Sequence, residues 1–222
     1  MKKILFGLLF LALISWLSWS VWSHWQPEAD QATSPGGVST STESEMKQYR
    51  DPDGAFILTY PAAFTISGRE VPDESPTSWS FFSESSGRVL ARVKVPRNYM
   101  PNTNFSEAWF TVGSSNEARA IETCGKKISA NTGQRLIVGH KEIDGFEFVS
   151  FFSNDAAAGN RYDTFGYQTL IDGDCYSLEY TIHYTNIQNY DPSSGIKQFD
   201  NVALIQKFDA MAESFHYLVN SD

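Results

Sequence analysis

Two Asp-Gly pairs, Asp144-Gly145 and Asp172-Gly173, stand between long stretches in which apolar and polar residues alternate. A two-residue loop of this composition accepts the positive φ of a type I′ turn, whose twist matches that of paired strands. The spacing therefore predicts two antiparallel hairpins, 136–143 against 146–152 and 162–171 against 174–184. In the second, "CYSLEYTIHY" puts Tyr176, Leu178, Tyr180, Ile182 and Tyr184 on one face, with Cys175, Ser177, Glu179, Thr181 and His183 on the other. An apolar face of this kind needs a covering layer.

The closing stretch 201–218 supplies one. Leu204, Ile205, Phe208, Met211, Ala212 and Phe215 recur at helical spacing and predict an amphipathic helix lying on the sheet. Asp51-Pro52-Asp53-Gly54 reads as a turn before a strand from Phe56 to Tyr60 that Pro61 stops. Further strands are expected at Trp79–Ser83 and Val89–Val95. "TNFSEAWFTVGS" reads as a short helix capped by Thr103 or Asn104, with Phe105, Ala108, Trp109 and Val112 on one face. These elements give an α+β domain with a largely antiparallel sheet.

Ahead of the domain, residues 4–25 contain no charge and end in "WLSWSVWSHW". As a helix this run spans about 33 Å, enough to cross a bilayer. Lys2 and Lys3 before it keep the N-terminus cytoplasmic and send the rest of the chain outward. Trp16, Trp19, Trp22 and Trp25 fan around such a helix as a band, the usual arrangement at a headgroup surface. Their bulk also crowds the positions where a signal peptidase needs small residues, which favours a signal anchor over a cleaved signal peptide for residues 1–25. Residues 26–47, rich in Ser, Thr, Pro, Gly and acids, read as a flexible linker. The globular domain is expected from 48 to 222.

Setting aside Lys2 and Lys3, 15 of the 17 basic residues face 26 acidic ones beyond the apolar run, a balance of −11. That balance argues against nucleic acid as a partner and against anionic headgroups, while leaving room for a local basic patch. Cys124 and Cys175, the chain's two cysteines, are expected to form a disulfide in an oxidising compartment, with two buried free thiols as the rival reading.

The opening "DPDGAFILTYPAAFTI" is similar to the G-F-x-h-x-Y-P-x-x-F start (h apolar) of the PsbP/Mog1/DcrB-like fold group. The closing "ESFHYL" is similar to that group's final S-F-x-h. The motifs cover the two ends of the domain, and the middle looks like exported bacterial proteins of uncharacterised function. The resemblance implies an α/β/α sandwich, an antiparallel sheet flanked by helices. It also implies an extracytoplasmic binding or assembly role and transfers no active site. The apolar N-terminus departs from a plant transit peptide, so no photosynthetic role is carried over.

Motifs for chemistry are absent. The sequence contains no G-x-S-x-G, H-E-x-x-H, P-loop or dinucleotide fingerprint, and no cofactor or metal site is expected. His24, His140, His183 and His216 lack metal-ligand spacing and read as surface or structural residues. "SNDAAAGNRYD" reads as a loop between strands, and its Asp155, Asn160, Arg161 and Asp163 are the candidate binding residues. A second loop, "TNIQNYDPSSGIKQFD", is expected at the same end of the sheet. The expected function is a membrane-tethered, non-catalytic binding or assembly module that engages an unidentified protein or envelope component. Two alternatives stand beside it. One is an enzyme whose acid/base pair, drawn from Asp155, Asp163, His140 or Glu179, meets only in three dimensions. The other is a structural envelope protein.

Overall fold

A computed structural model of the chain describes residues 45–68, 87–126, 129–130, 133–134 and 136–218. Residues 1–25, expected as a signal anchor, and most of the expected linker lie outside these residues, as does the strand expected at Trp79–Ser83. Among the described residues no helix is long and apolar enough to cross a membrane.

Twelve strands occur among the described residues. They are β1 (Met46–Arg50), β2 (Phe56–Pro61), β3 (Thr65–Ser67), β4 (Arg88–Val95), β5 (Phe105–Ser115), β6 (Ser129–Ala130), β7 (Gly133–Gln134), β8 (Leu136–Ile143), β9 (Phe146–Ala157), β10 (Asn160–Ile171), β11 (Asp174–Thr185) and β12 (His216–Tyr217). Seven of them form one sheet in the order β3-β4-β5-β11-β10-β9-β8, antiparallel throughout. A smaller sheet has the order β1-β2-β12. Helix α1 (Ala118–Thr123) follows β5, and helix α2 (Asn201–Glu213) follows β11 and two short 3-10 turns, a third such turn lying between β4 and β5.

Both Asp-Gly pairs make the expected turns, with φ of 53° and 78° at Asp144-Gly145 and 50° and 87° at Asp172-Gly173. The turn aspartates also have a further role. Asp144 accepts from the Tyr217 backbone N–H (2.6 Å) and lies 2.7 Å from the His216 ring, while the Tyr217 hydroxyl donates to Asp172 (2.9 Å). The two hairpin tips thus hold the C-terminal strand.

Inward-facing residues of the large sheet, Val93, Ala108, Phe110, Leu178, Tyr180 and Ile182, pack with Phe56 and Leu58 of β2 and with Leu204, Phe208 and Met211 of α2 into one core. The sheet's other face carries α1 at one end. Cys124, just past α1, is disulfide-bonded to Cys175 of β11, with a Cα–Cα distance of 5.7 Å. Ala120 and Cys175 are buried together there as a small satellite core.

Three expectations change. The stretch "TNFSEAWFTVGS" is not a helix but the central strand β5, paired with β4 on one side and β11 on the other. A β-bulge explains the misreading. Tyr184 pairs with Phe105 and His183 with Glu107, leaving Ser106 unopposed, so Phe105 and Ala108 face the core at a spacing of three that mimics a helix. Asn104, expected as a cap, instead ties loops together, donating to Thr185 O (2.7 Å) and accepting from Phe199 N–H (2.9 Å). Second, the last helix stops at Glu213. The Ser214 hydroxyl donates to Met211 O (2.7 Å) and accepts the Thr59 N–H (2.9 Å), turning the chain so that Phe215 is buried and β12 pairs with β2. Third, β1 begins at Met46, within the stretch read as linker, because Met46 and Lys47 pair with Pro61 and Tyr60. The flanking of the sheet is also uneven, with a 13-residue helix on one face and a six-residue helix on the other.

Candidate functional site

The stretch 153–163 is not a loop. β9 runs to Ala157 and β10 starts at Asn160, joined by Ala158-Gly159 at φ of 49° and 84°. This third two-residue turn lacks a turn signature, because Ala rarely occupies positive φ. Strand alternation then separates the four candidate residues. Arg161 and Asp163 share the face of Phe165 and Tyr167, while Asp155 and Asn160 share the face of Tyr162.

Each of the four has a partner or a local role. Asp155 accepts the N–H of Ala156 at 2.7 Å. Asp163 accepts from the Tyr184 hydroxyl at 3.0 Å and feels the positive charge of Arg161. Burial still dominates and lifts the Asp163 carboxyl above its ordinary 3.8. A raised carboxyl binds its proton more readily when folded, so its charged form works against the fold above that range and the cost fades as pH falls through it. Asp163→Asn, which can still accept from Tyr184, is therefore expected to raise the denaturation midpoint at pH 7. The gain should shrink as the pH is lowered toward 3, and a loss of stability at pH 7 would contradict it.

Asn160 leads to a different site. Its Oδ1 lies 3.0 Å from His183 Nε2, and Glu107 Oε1 lies 3.4 Å from His183 Nδ1. The imidazole stacks on Tyr162, with ring centres 4.3 Å apart and planes 12° from parallel. Next to this set is a cavity of about 290 Å³ lined by Lys94, Val95, Pro96, Arg97, Ser106, Glu107 and His183. Strands β4, β5 and β11 position these groups. Lys94 points away from the core because Val93 and Val95 point into it. Pro96 starts the 3-10 turn that carries Arg97. The bulge in β5 places Ser106 on the cavity wall. Bulges of this kind re-aim side chains beside functional sites.

The chemistry favours holding over proton transfer. Both ring nitrogens of His183 face oxygen acceptors, Glu107 Oε1 at Nδ1 and Asn160 Oδ1 at Nε2. Among the described residues no hydroxyl or thiol is hydrogen-bonded to His183. On the core face, Asp209 of α2 accepts from the Tyr167 hydroxyl (2.8 Å) and the Tyr180 hydroxyl (2.9 Å). Burial first, and then Asp209, push both phenols far above the ordinary tyrosine range, so neither supplies a proton near neutral pH.

The residues named for a three-dimensional enzyme site do not gather. Asp163 is on the core face, and Glu179 on β11 is separated from His140 on β8 by two intervening strands. The His140 ring instead lies 3.4 Å from exposed Glu147. Among the described residues no group of three His, Cys, Asp or Glu is placed to hold a metal ion. The second expected loop does lie at the Asn160 end, since the Asn186 N–H donates to Gly159 O at 2.9 Å. Sequence reading missed Lys94, Arg97, Ser106 and Glu107 and set His183 aside. The run "WFTV", aromatic and β-branched, was the available strand signal, but nothing in the chain announces a bulge.

Neither a protein-family model nor a curated protein matches the chain. Among solved structures it is similar to the cyanobacterial PsbP (CyanoP) of Synechocystis sp. PCC 6803. That likeness has a TM-score of 0.39 at 11% identity over 82% of this chain and 98% of that one. It is also similar to LpqN, involved in cell envelope biogenesis of Mycobacterium tuberculosis, with a TM-score of 0.41 at 9% identity over 78% of this chain and 91% of that one. At these identities no residue role passes from either protein to this chain.

Proposed function

We propose that this chain is an extracytoplasmic binding or assembly module without catalytic activity. Residues 4–25 tether it to a membrane, and the cleft at the β4-β5-β11 corner engages an envelope component. One observation carries the reading. A bulge, a 3-10 turn and a doubly bonded, stacked histidine together build a polar cleft whose histidine is occupied at both nitrogens. The Cys124–Cys175 disulfide supports an oxidising compartment, and the uncharged run with its tryptophan band supports the tether.

Affinity capture of the full chain from its native membranes tests this. Ser106→Phe fills the cleft from an intermediate-exposure position, and near-UV circular dichroism checks that the domain stays folded. The partner recovered with the natural chain is expected to fall roughly tenfold or more with Ser106→Phe, the size of loss that follows when a binding pocket is blocked. Undiminished recovery with Ser106→Phe, together with loss in an Asn160→Ala, Arg161→Ala chain, would move the binding surface to the hairpin tip.

A further inference from the structure

We propose that the cleft at the β4-β5-β11 corner binds an oxyanion group, a phosphate or a carboxylate, held between Lys94 and Arg97 with Ser106 and His183 as additional polar walls. The inference rests on the cleft being a binding surface and adds the chemistry of what enters it.

Lys94 and Arg97 line the same cavity, and neither has an acidic partner within ion-pair distance among the described residues. Such partners are plentiful elsewhere in a chain with 26 acidic and 17 basic residues; Arg88 has Asp174 at 3.9 Å, and Lys141 pairs with Glu213. Glu107, the acid on the cavity wall, is engaged from the side by His183 Nδ1. The mouth of the cleft therefore holds two cations without an acidic partner among the described residues. A guanidinium presents a planar fork that fits two oxygens of one group, and an ammonium adds a compact point charge. The Ser106 hydroxyl has no hydrogen-bond partner among the described residues and supplies a further donor. A cavity of about 290 Å³ sits at the small end of ligand sites, with room for one anionic group or the tip of a larger ligand. The local positive charge runs against the acidic balance of the whole domain, so an anion is drawn to this corner in particular.

The test uses the full chain in phosphatidylcholine nanodiscs with isotope-labelled histidine rings. Inorganic phosphate and acetate are added separately, with sodium chloride at matched ionic strength as the reference. The His183 ring signals are expected to move saturably while those of His140 and His216 stay in place. Lys94→Gln combined with Arg97→Gln should weaken the response roughly tenfold or more, as expected when a charge-assisted clamp is lost. A response to phosphate alone selects a tetrahedral oxyanion, and one to acetate alone selects a carboxylate. A His183 shift in phosphatidylglycerol nanodiscs without added anion, abolished by the same substitutions, assigns the oxyanion to a lipid headgroup. The proposal is overturned if no anion moves His183, if the double substitution leaves the response intact, or if His140 and His216 move together with it. A silent His183 alongside partner capture that still depends on Ser106 would remove the oxyanion and leave the binding surface standing. Failure of both experiments would remove both.

Discussion

Phe208→Ala is expected to cost the domain about 3–5 kcal/mol, the range for truncating a fully buried aromatic side chain. Phe208 is 0% exposed and stacks on Tyr180 at 4.8 Å, with Phe64 and Phe110 at 6.3 and 6.4 Å. These neighbours come from β5, β11 and the segment after β2, so the cavity left behind has rigid walls that cannot close around it. A protein of this size loses roughly 2–4 °C of melting temperature per kcal/mol, so the midpoint should fall by roughly 6–20 °C. Val202 on the same helix is 59% exposed, and Val202→Ala is expected to stay within about 0.5 kcal/mol. Thermal melts of the full chain followed by near-UV circular dichroism separate the two. A loss below about 1 kcal/mol at Phe208 would mean that α2 does not close the core.

Opening the Cys124–Cys175 bond comes next in size. A cross-link between residues 51 apart removes denatured-state entropy equivalent to about 4 kcal/mol on the chain-entropy model. Its local surroundings add to this, because Cys175 is fully buried beneath α1 and Ala120 packs against it. Denaturant titrations with and without reductant, and of the Cys124→Ser, Cys175→Ser chain, are expected to show a loss of about 2–4 kcal/mol. Equal midpoints in both conditions would contradict the assignment of the bond as a structural staple suited to an oxidising compartment.

The parts of the fold that were legible from the residues are those whose signals are local. Asp144-Gly145 and Asp172-Gly173 can take positive φ, and the strands they join alternate cleanly, so both hairpins follow from the chain alone. The periodicity of Leu204, Phe208 and Met211 likewise places α2. The turn at Ala158-Gly159 was not legible, because an alanine, which rarely takes positive φ, occupies its first position. β5 was lost for another reason. A one-residue bulge shifts the phase of alternation, and period two with one slip reads locally as period three. The cleft inherits that difficulty. Its residues come from β4, β5, a 3-10 turn and β11, up to about 90 positions apart, and only pairing across strands brings Glu107 to His183 and Asn160 to the same ring. Of the residues proposed for binding, Asn160 belongs to that set, Asp155 lies on its face, and Arg161 and Asp163 lie on the opposite one.

Site-specific photo-cross-linking in native membranes tests the central claim most directly. A photoreactive side chain placed at Ser106, on the cleft wall, is compared with one at Ser193, in the exposed 3-10 turn beyond β11. If the cleft is the surface by which a tethered extracytoplasmic module holds its partner, Ser106 gives one discrete adduct in the membrane fraction and Ser193 gives none. Adducts from Ser193 without any from Ser106, or no adduct outside the cytoplasm from either, would contradict it.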